Sequence, residues 1–105
     1  MEEIKYVYAI VRNDISYPQQ AVQACHACIE MASYYFDCID RPHLVLCNVT
    51  PQKLHQLIYK MEQLEMCFQV FREGDMNNEI TAFATLPISG ERRSLFSDLK
   101  LLTME

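Results

Sequence analysis

The chain has 105 residues, half of them hydrophobic and 22% charged, which suits one domain with one modest core. Its formal net charge of −5 is a poor match to a protein that grips nucleic acid along the backbone, because such binding leans on Lys and Arg against phosphate. A local basic patch can still act, and Arg92–Arg93 is the one adjacent basic pair.

No apolar run approaches the roughly 20 residues that a membrane span needs. The acidic start, MEEIKYVYAIV, lacks the small-residue cleavage site of a signal peptide. A cytoplasmic protein with no membrane partner is the expectation. Five cysteines, an odd count, then read as reduced thiols. Cys25 and Cys28 form a C-x-x-C pair, but no second pair exists, so packing is the simpler reading. No metal and no cofactor are expected.

Ile4 to Arg12 alternates β-branched and aromatic residues and predicts a strand. Arg12-Asn13-Asp14 closes it. Ser16 is a candidate N-cap and Pro18 fits the first turn of a helix that runs to about Phe36. Small residues in this helix (Ala21, Ala24, Cys25, Ala27, Cys28, Ala32) would let it lie close against a sheet. Gln19, Gln23, His26 and Glu30 share one face at helical spacing. Val22, Cys25, Ile29 and Phe36 form a second stripe, expected to be the buried one.

Pro42 to Val49 is a continuous apolar run, the pattern of a strand buried on both faces. Thr50-Pro51 starts a second helix, which runs to about Leu64 with Leu54, Leu57, Ile58 and Met61 on one face. Met66 to Arg72 predicts a third strand, residues 73–78 a turn, and Glu79 to Leu86 a fourth strand. Gly90 breaks the chain. Glu91 to Leu102 predicts a last amphipathic helix with Leu95, Phe96, Leu99 and Leu102 inward.

Two helical crossovers make the first three strands mutually parallel. The short loop before the fourth makes it an antiparallel neighbour of the third. The expectation is a three-layer α/β/α sandwich over a four-stranded mixed sheet of order 2-1-4-3.

In that topology polar residues meet at one end of the sheet. Arg12, Asn13 and Asp14 end the first strand, and Gln19 and Gln23 lie in the first turns of the helix. Glu73 and Asp75 follow the third strand, and Thr81 lies near the start of the fourth. Ligands of open α/β sheets bind at this end. His26 would sit on its flank, as a ligand, an orienting group or a core histidine. His43 and His55 read as structural or exposed.

These residues carry a resemblance. Val11-Arg12-Asn13-Asp14-Ile15, followed by Ala21-Val22-Gln23-Ala24-Cys25-His26-Ala27, resembles the type II peptidyl-tRNA hydrolases. In that family the first strand runs into Val-Arg-x-Asp-Leu and the first helix carries Ala-Ala-Gln-Cys-Ser-His-Ala. Asp75 is similar to the family's Asp after the third strand. Thr81-Ala82-Phe83-Ala84-Thr85-Leu86-Pro87 is similar to its Thr-Val-Leu-x-Ile-Gly-Pro strand. The resemblance spans nearly the whole chain and implies one domain of that type over residues 1–105.

The resemblance implies cleavage of the ester between a peptide and the terminal ribose of tRNA, with His26, Asp75 and Thr81 matching family positions. It also has departures. Pro18-Gln19-Gln20 stands where the family carries a Lys, and Gln cannot supply charge to a phosphate or an oxyanion. The loop before the helix is about two residues shorter, and the family's Thr-Gln-Ile segment after the Asp is missing.

Three functions stay open. In a hydrolase, Asp75 would activate water, His26 and Gln23 would orient, and Arg12 or the helix start would contact an anion. Asn13, Asp14, Gln19 and Thr81 would complete the ligand site. A non-catalytic member would bind a small nucleotide in the same cleft. An interaction module would form a homodimer, with Tyr34, Tyr35 and Phe36 at the interface.

Overall fold

A computed structural model describes residues 4–35 and 42–102. The elements are β1 (Tyr6–Arg12), α1 (Tyr17–Tyr34), β2 (His43–Val49), α2 (Pro51–Gln63), β3 (Phe68–Glu73) and β4 (Glu79–Thr85), with short 3-10 helices at Gly74–Met76 and Gly90–Phe96. The sheet order is β2-β1-β4-β3. β1 pairs parallel with β2 and antiparallel with β4, and β4 pairs antiparallel with β3. The expected order and strand directions are therefore observed.

Both helices start where their caps predict. The Ser16 hydroxyl accepts from the Gln19 amide at 3.3 Å, and the Thr50 hydroxyl from the Lys53 amide at 3.2 Å. A proline opens the first turn of each, where its missing N–H costs no hydrogen bond. Leu54, Leu57, Ile58 and Met61 are buried along one face of α2, as their spacing requires. That face packs on Tyr8, Ile10, Cys47, Val49 and Phe83. On the other side of the sheet, Ala24, Ala27 and Met31 of α1 pack on Val7, Ala9, Val11, Ala82 and Ala84.

The buried face of α1 differs from the one expected. Val22 and Ile29 are exposed, as is Cys25. Phe36 lies outside the described residues. Gln20, Gln23, Ala24, Ala27 and Met31 are buried instead. The reason is the sheet beneath, which offers Ala9, Ala82 and Ala84 at the contact. Alanine on both surfaces permits a close approach that Val22 and Ile29 would prevent. Gln23 thus leaves the exposed line of Gln19, His26 and Glu30 and becomes a core residue.

β2 is not buried on both faces. It lies at the sheet edge, and His43 and Leu44 are exposed. Its apolar run is fully buried only toward the carboxyl end, at Cys47 and Val49.

The last helix is also replaced. A 3-10 helix ends at Phe96, and the chain then extends along the edge of β2. Leu101 bridges Cys47 in antiparallel fashion, and the Leu102 amide donates to the Leu46 carbonyl at 2.9 Å. Leu95 and Leu99 consequently pack on the α2 side and Leu102 on the α1 side. Ser94 and Ser97 hydroxyls donate to backbone carbonyls three residues back, at 2.6 and 2.9 Å. Such local bonds compete with a regular helix. Arg93 fastens the segment, its guanidinium 3.6 Å from the Tyr6 ring centre and its Nε 3.2 Å from the Tyr8 hydroxyl.

Tyr34 is exposed, whereas Tyr35 is half-buried against the α1-side core. Cys25, Cys28, Cys47 and Cys67 are free thiols, and Cys38 lies outside the described residues. Burial pushes the Cys28 and Cys47 thiols up, away from thiolate character. Among the described residues no helix is long and apolar enough to cross a membrane.

Candidate functional site

The carboxyl ends of β1, β2 and β3 lie together, and the start of α1 crosses above them. One flank of α1 faces β3 and β4. There the register slips: Phe71 pairs with Ala82 but Arg72 pairs with Ile80, leaving Thr81 as an extra residue in β4. Such a bulge re-aims a side chain. Thr81 accordingly faces α1 together with its neighbour Ala82, where strict alternation would have separated them.

A chain of hydrogen bonds runs outward from this buried point. The Thr81 hydroxyl, fully buried, donates to Gln23 Oε1 at 2.6 Å. Gln23 Nε2 donates to Glu73 Oε2 at 2.6 Å, with Gln19 Oε1 a longer contact at 3.5 Å. Glu73 Oε1 accepts the backbone amide of Asp75 at 3.3 Å and so caps the Gly74–Met76 turn. Asn77 and Asn78 complete the reversal in the left-handed region, with φ of 56° and 61°. The bond from Gln23, then the Asp75 amide, holds the Glu73 carboxyl below the usual carboxylate range.

Asp75 rides at the end of that chain, exposed, and its carboxylate has no partner among the described residues. His26 is exposed rather than core. Its ring stacks on Phe71 of β3, with centres 4.5 Å apart and planes 8° apart.

Arg12 is not open to an anion. Its Nε and Nη2 grip Asp14 through two bonds of 2.6 Å, and Nη1 reaches Glu79 at 3.4 Å. Asp14 fills the guanidinium fork that a phosphate would need. That pairing also lowers the Asp14 carboxyl and raises Arg12.

The other flank of α1 faces β2. Gln20, almost fully buried, donates from Nε2 to the Ile15 carbonyl at 2.8 Å and accepts from Asn48 Nδ2 at 2.9 Å. The glutamine at the start of the helix is thereby committed at both ends of its amide. Asn13 is anchored through its backbone amide to the Val49 carbonyl at 2.7 Å. It lines a concavity of about 520 Å³ on this flank, with Ser16, Gln20, Asn48 and Lys100.

Apart from His26, which stacks on Phe71 beside the network without a hydrogen bond to it, the expected residues fall into three groups. Gln23, Thr81 and, through its backbone, Asp75 are joined in one network, with Gln19 at its margin. Arg12 and Asp14 form a separate ion pair, and Asn13 belongs to the β2 flank. Glu73, the hub of the network, and Gln20, the anchor of the other flank, were not among the expected ligand residues. Glu73 stood in the right loop; nothing in the local pattern marked Gln20 as buried. Among the described residues no group of three His, Cys, Asp or Glu side chains could hold a metal ion.

No family model matches the sequence, and no curated protein matches it. The chain is similar in structure to a protein of unknown function from Agrobacterium tumefaciens, with a TM-score of 0.77 and 10% identity, over 98% of this chain and 100% of that one. At that identity the likeness establishes a shared fold alone.

Proposed function

We propose that the chain is a short, divergent protein of the type II peptidyl-tRNA hydrolase kind, with its three-layer α/β/α fold, and that it cleaves an ester at the 3′ end of a tRNA or nucleotide. One observation carries this reading. Of the carboxylates gathered at this end of the sheet, Asp14 and Glu79 face Arg12 and Glu73 is tied to Gln23, while Asp75 is unpartnered and exposed.

In this reading Asp75 takes a proton from water, and the water oxygen attacks the ester carbonyl carbon. The bond from that carbon to the ribose oxygen breaks, and the proton passes to the departing hydroxyl. Thr81, Gln23 and Glu73 are positioning residues, since their polar atoms are occupied by one another and by the Asp75 amide. His26 is held flat against Phe71 and presents its ring edge to ligand.

A second reading, nucleotide binding without turnover, is favoured by Gln20. The resemblance places a Lys in this region, and Gln20 has both amide ends bonded to protein.

Single-turnover hydrolysis of an N-blocked aminoacyl-tRNA by the wild type and Asp75→Ala separates the two. Cleavage that disappears in Asp75→Ala is the expected result. No cleavage at large protein excess rejects the hydrolase. Mass spectrometry of nucleotides released by denaturing the purified protein would then test the binding reading.

A further inference from the structure

The resemblance expects a lysine near the start of α1, and the chain places glutamines there. The tertiary structure brings a lysine to the same neighbourhood from the far end of the sequence. Leu101 bridges Cys47 and the Leu102 amide bonds the Leu46 carbonyl, so the antiparallel register sets Lys100 opposite Asn48. Residues directly opposite in an antiparallel pair point to the same face. Asn48 points to the α1 side, where it bonds Gln20. Lys100 lines the same concavity as Gln20, Asn48, Asn13 and Ser16.

We propose that this concavity, between the start of α1 and the segment paired to the edge of β2, binds the phosphate of a nucleotide, with Lys100 as its cation and Asn13 and Asn48 as polar walls. The choice of a nucleotide as ligand rests on the reading above.

Three features carry the assignment. No Asp or Glu lines the concavity, in a chain with 14 acidic residues and 9 Lys or Arg. The Lys100 ammonium and the Asn13 side-chain amide have no hydrogen-bond or ion-pair partner among the described residues. Gln20 and Asn48 form a fixed wall, because each is bonded to the other and Gln20 is bonded to Ile15. The alternative is a lysine that merely protects an exposed sheet edge. Arg93 offers no comparable site, since its guanidinium is occupied by Tyr6 and Tyr8.

The test is a nuclear magnetic resonance titration of the full chain with adenosine 5′-monophosphate and, separately, inorganic phosphate. The wild type, Lys100→Gln and Lys100→Arg are compared. Lys100 is exposed, so both variants should keep the dispersed spectrum of the folded protein.

The nucleotide should shift the side-chain amide signals of Asn13 and Asn48. Lys100→Gln should weaken binding roughly tenfold, the low end for a charge-assisted hydrogen bond at an exposed site. Lys100→Arg should restore most of it. Tighter binding of the nucleotide than of phosphate assigns the source to a nucleotide; equal, Lys100-dependent binding assigns it to free phosphate. Shifts confined to other residues, or equal affinity in Lys100→Gln, overturn the proposal.

The hydrolysis assay on these samples and on Asp75→Ala keeps the two ideas apart. Asp75-dependent cleavage with Lys100-independent binding sinks this site and leaves the hydrolase. Lys100-dependent binding without cleavage does the reverse.

Discussion

The two flanks of α1 are built from the same residue type and end differently. Toward β3 and β4, Gln23 is buried between a hydroxyl and a carboxylate, and a network runs from the core to Asp75. Toward β2, Gln20 is buried between a carbonyl and an asparagine, and beside it a concavity opens around a lysine. Both glutamines neutralise polar backbone and side-chain groups that would otherwise be stranded under the helix. The difference lies in what stands next to them. Among the described residues, one flank ends in the free carboxylate of Asp75, to which the proposed hydrolysis assigns water activation; the other opens on the free ammonium of Lys100, to which the proposed site assigns an anion.

The largest test of this contrast is catalytic. Asp75→Asn should lower single-turnover cleavage by about 10²–10⁴-fold, the usual contribution of a positioned general base. Its unfolding midpoint should stay near that of the wild type, because the side chain is exposed. A loss of stability instead would make Asp75 a structural residue and dissolve the division between flanks.

Stability should rank the two glutamines. Gln23→Ala leaves the fully buried Thr81 hydroxyl only its longer contact to the Phe71 carbonyl at 3.5 Å, loses the bond to Glu73 and opens a cavity; a cost of about 3 kcal/mol is expected. Gln20→Ala leaves the Ile15 carbonyl and the partly exposed Asn48 amide nearer to water, and about 2 kcal/mol is expected. Urea unfolding with unchanged slope measures both. Equal losses would show that the flanks are held alike.

A smaller change separates the helix start from either flank. Ser16→Ala removes the cap on the Gln19 amide and should cost about 1 kcal/mol. Asp75-dependent cleavage should survive it, measured at the same temperature.

The smallest effect concerns acid. Glu73 and Asp14 both have lowered carboxyl values, through Gln23 and Arg12 respectively. Each therefore adds stability that is complete above the ordinary carboxylate range. It is lost as pH falls through that range and through their lowered folded values. Glu73→Gln should make the acid-side fall in the urea midpoint shallower, and only slightly, because a partly exposed carboxylate is screened by water. An unchanged pH profile would detach Glu73 from the network.

The sequence by itself determined the elements whose signals are local. Ser16 and Thr50 marked both helix starts, and the 54-57-58-61 spacing named the buried face of α2. Alternation named β1, and the two helical crossovers with the short β3–β4 loop gave the strand directions and the order. Tertiary structure decided the rest, because the deciding partner was distant in the chain. α1 turned its alanines and glutamines inward because the sheet beneath it is alanine-lined, a property of Ala9, Ala82 and Ala84 rather than of α1. Thr81 joined the network through a bulge that depends on pairing with β3, which no pattern within β4 announces. The last segment left its helical period after Phe96 to pair with the open edge of β2, carrying Lys100 to Asn48. Local spacing sets which face a segment offers; only the surface it meets determines which face is accepted.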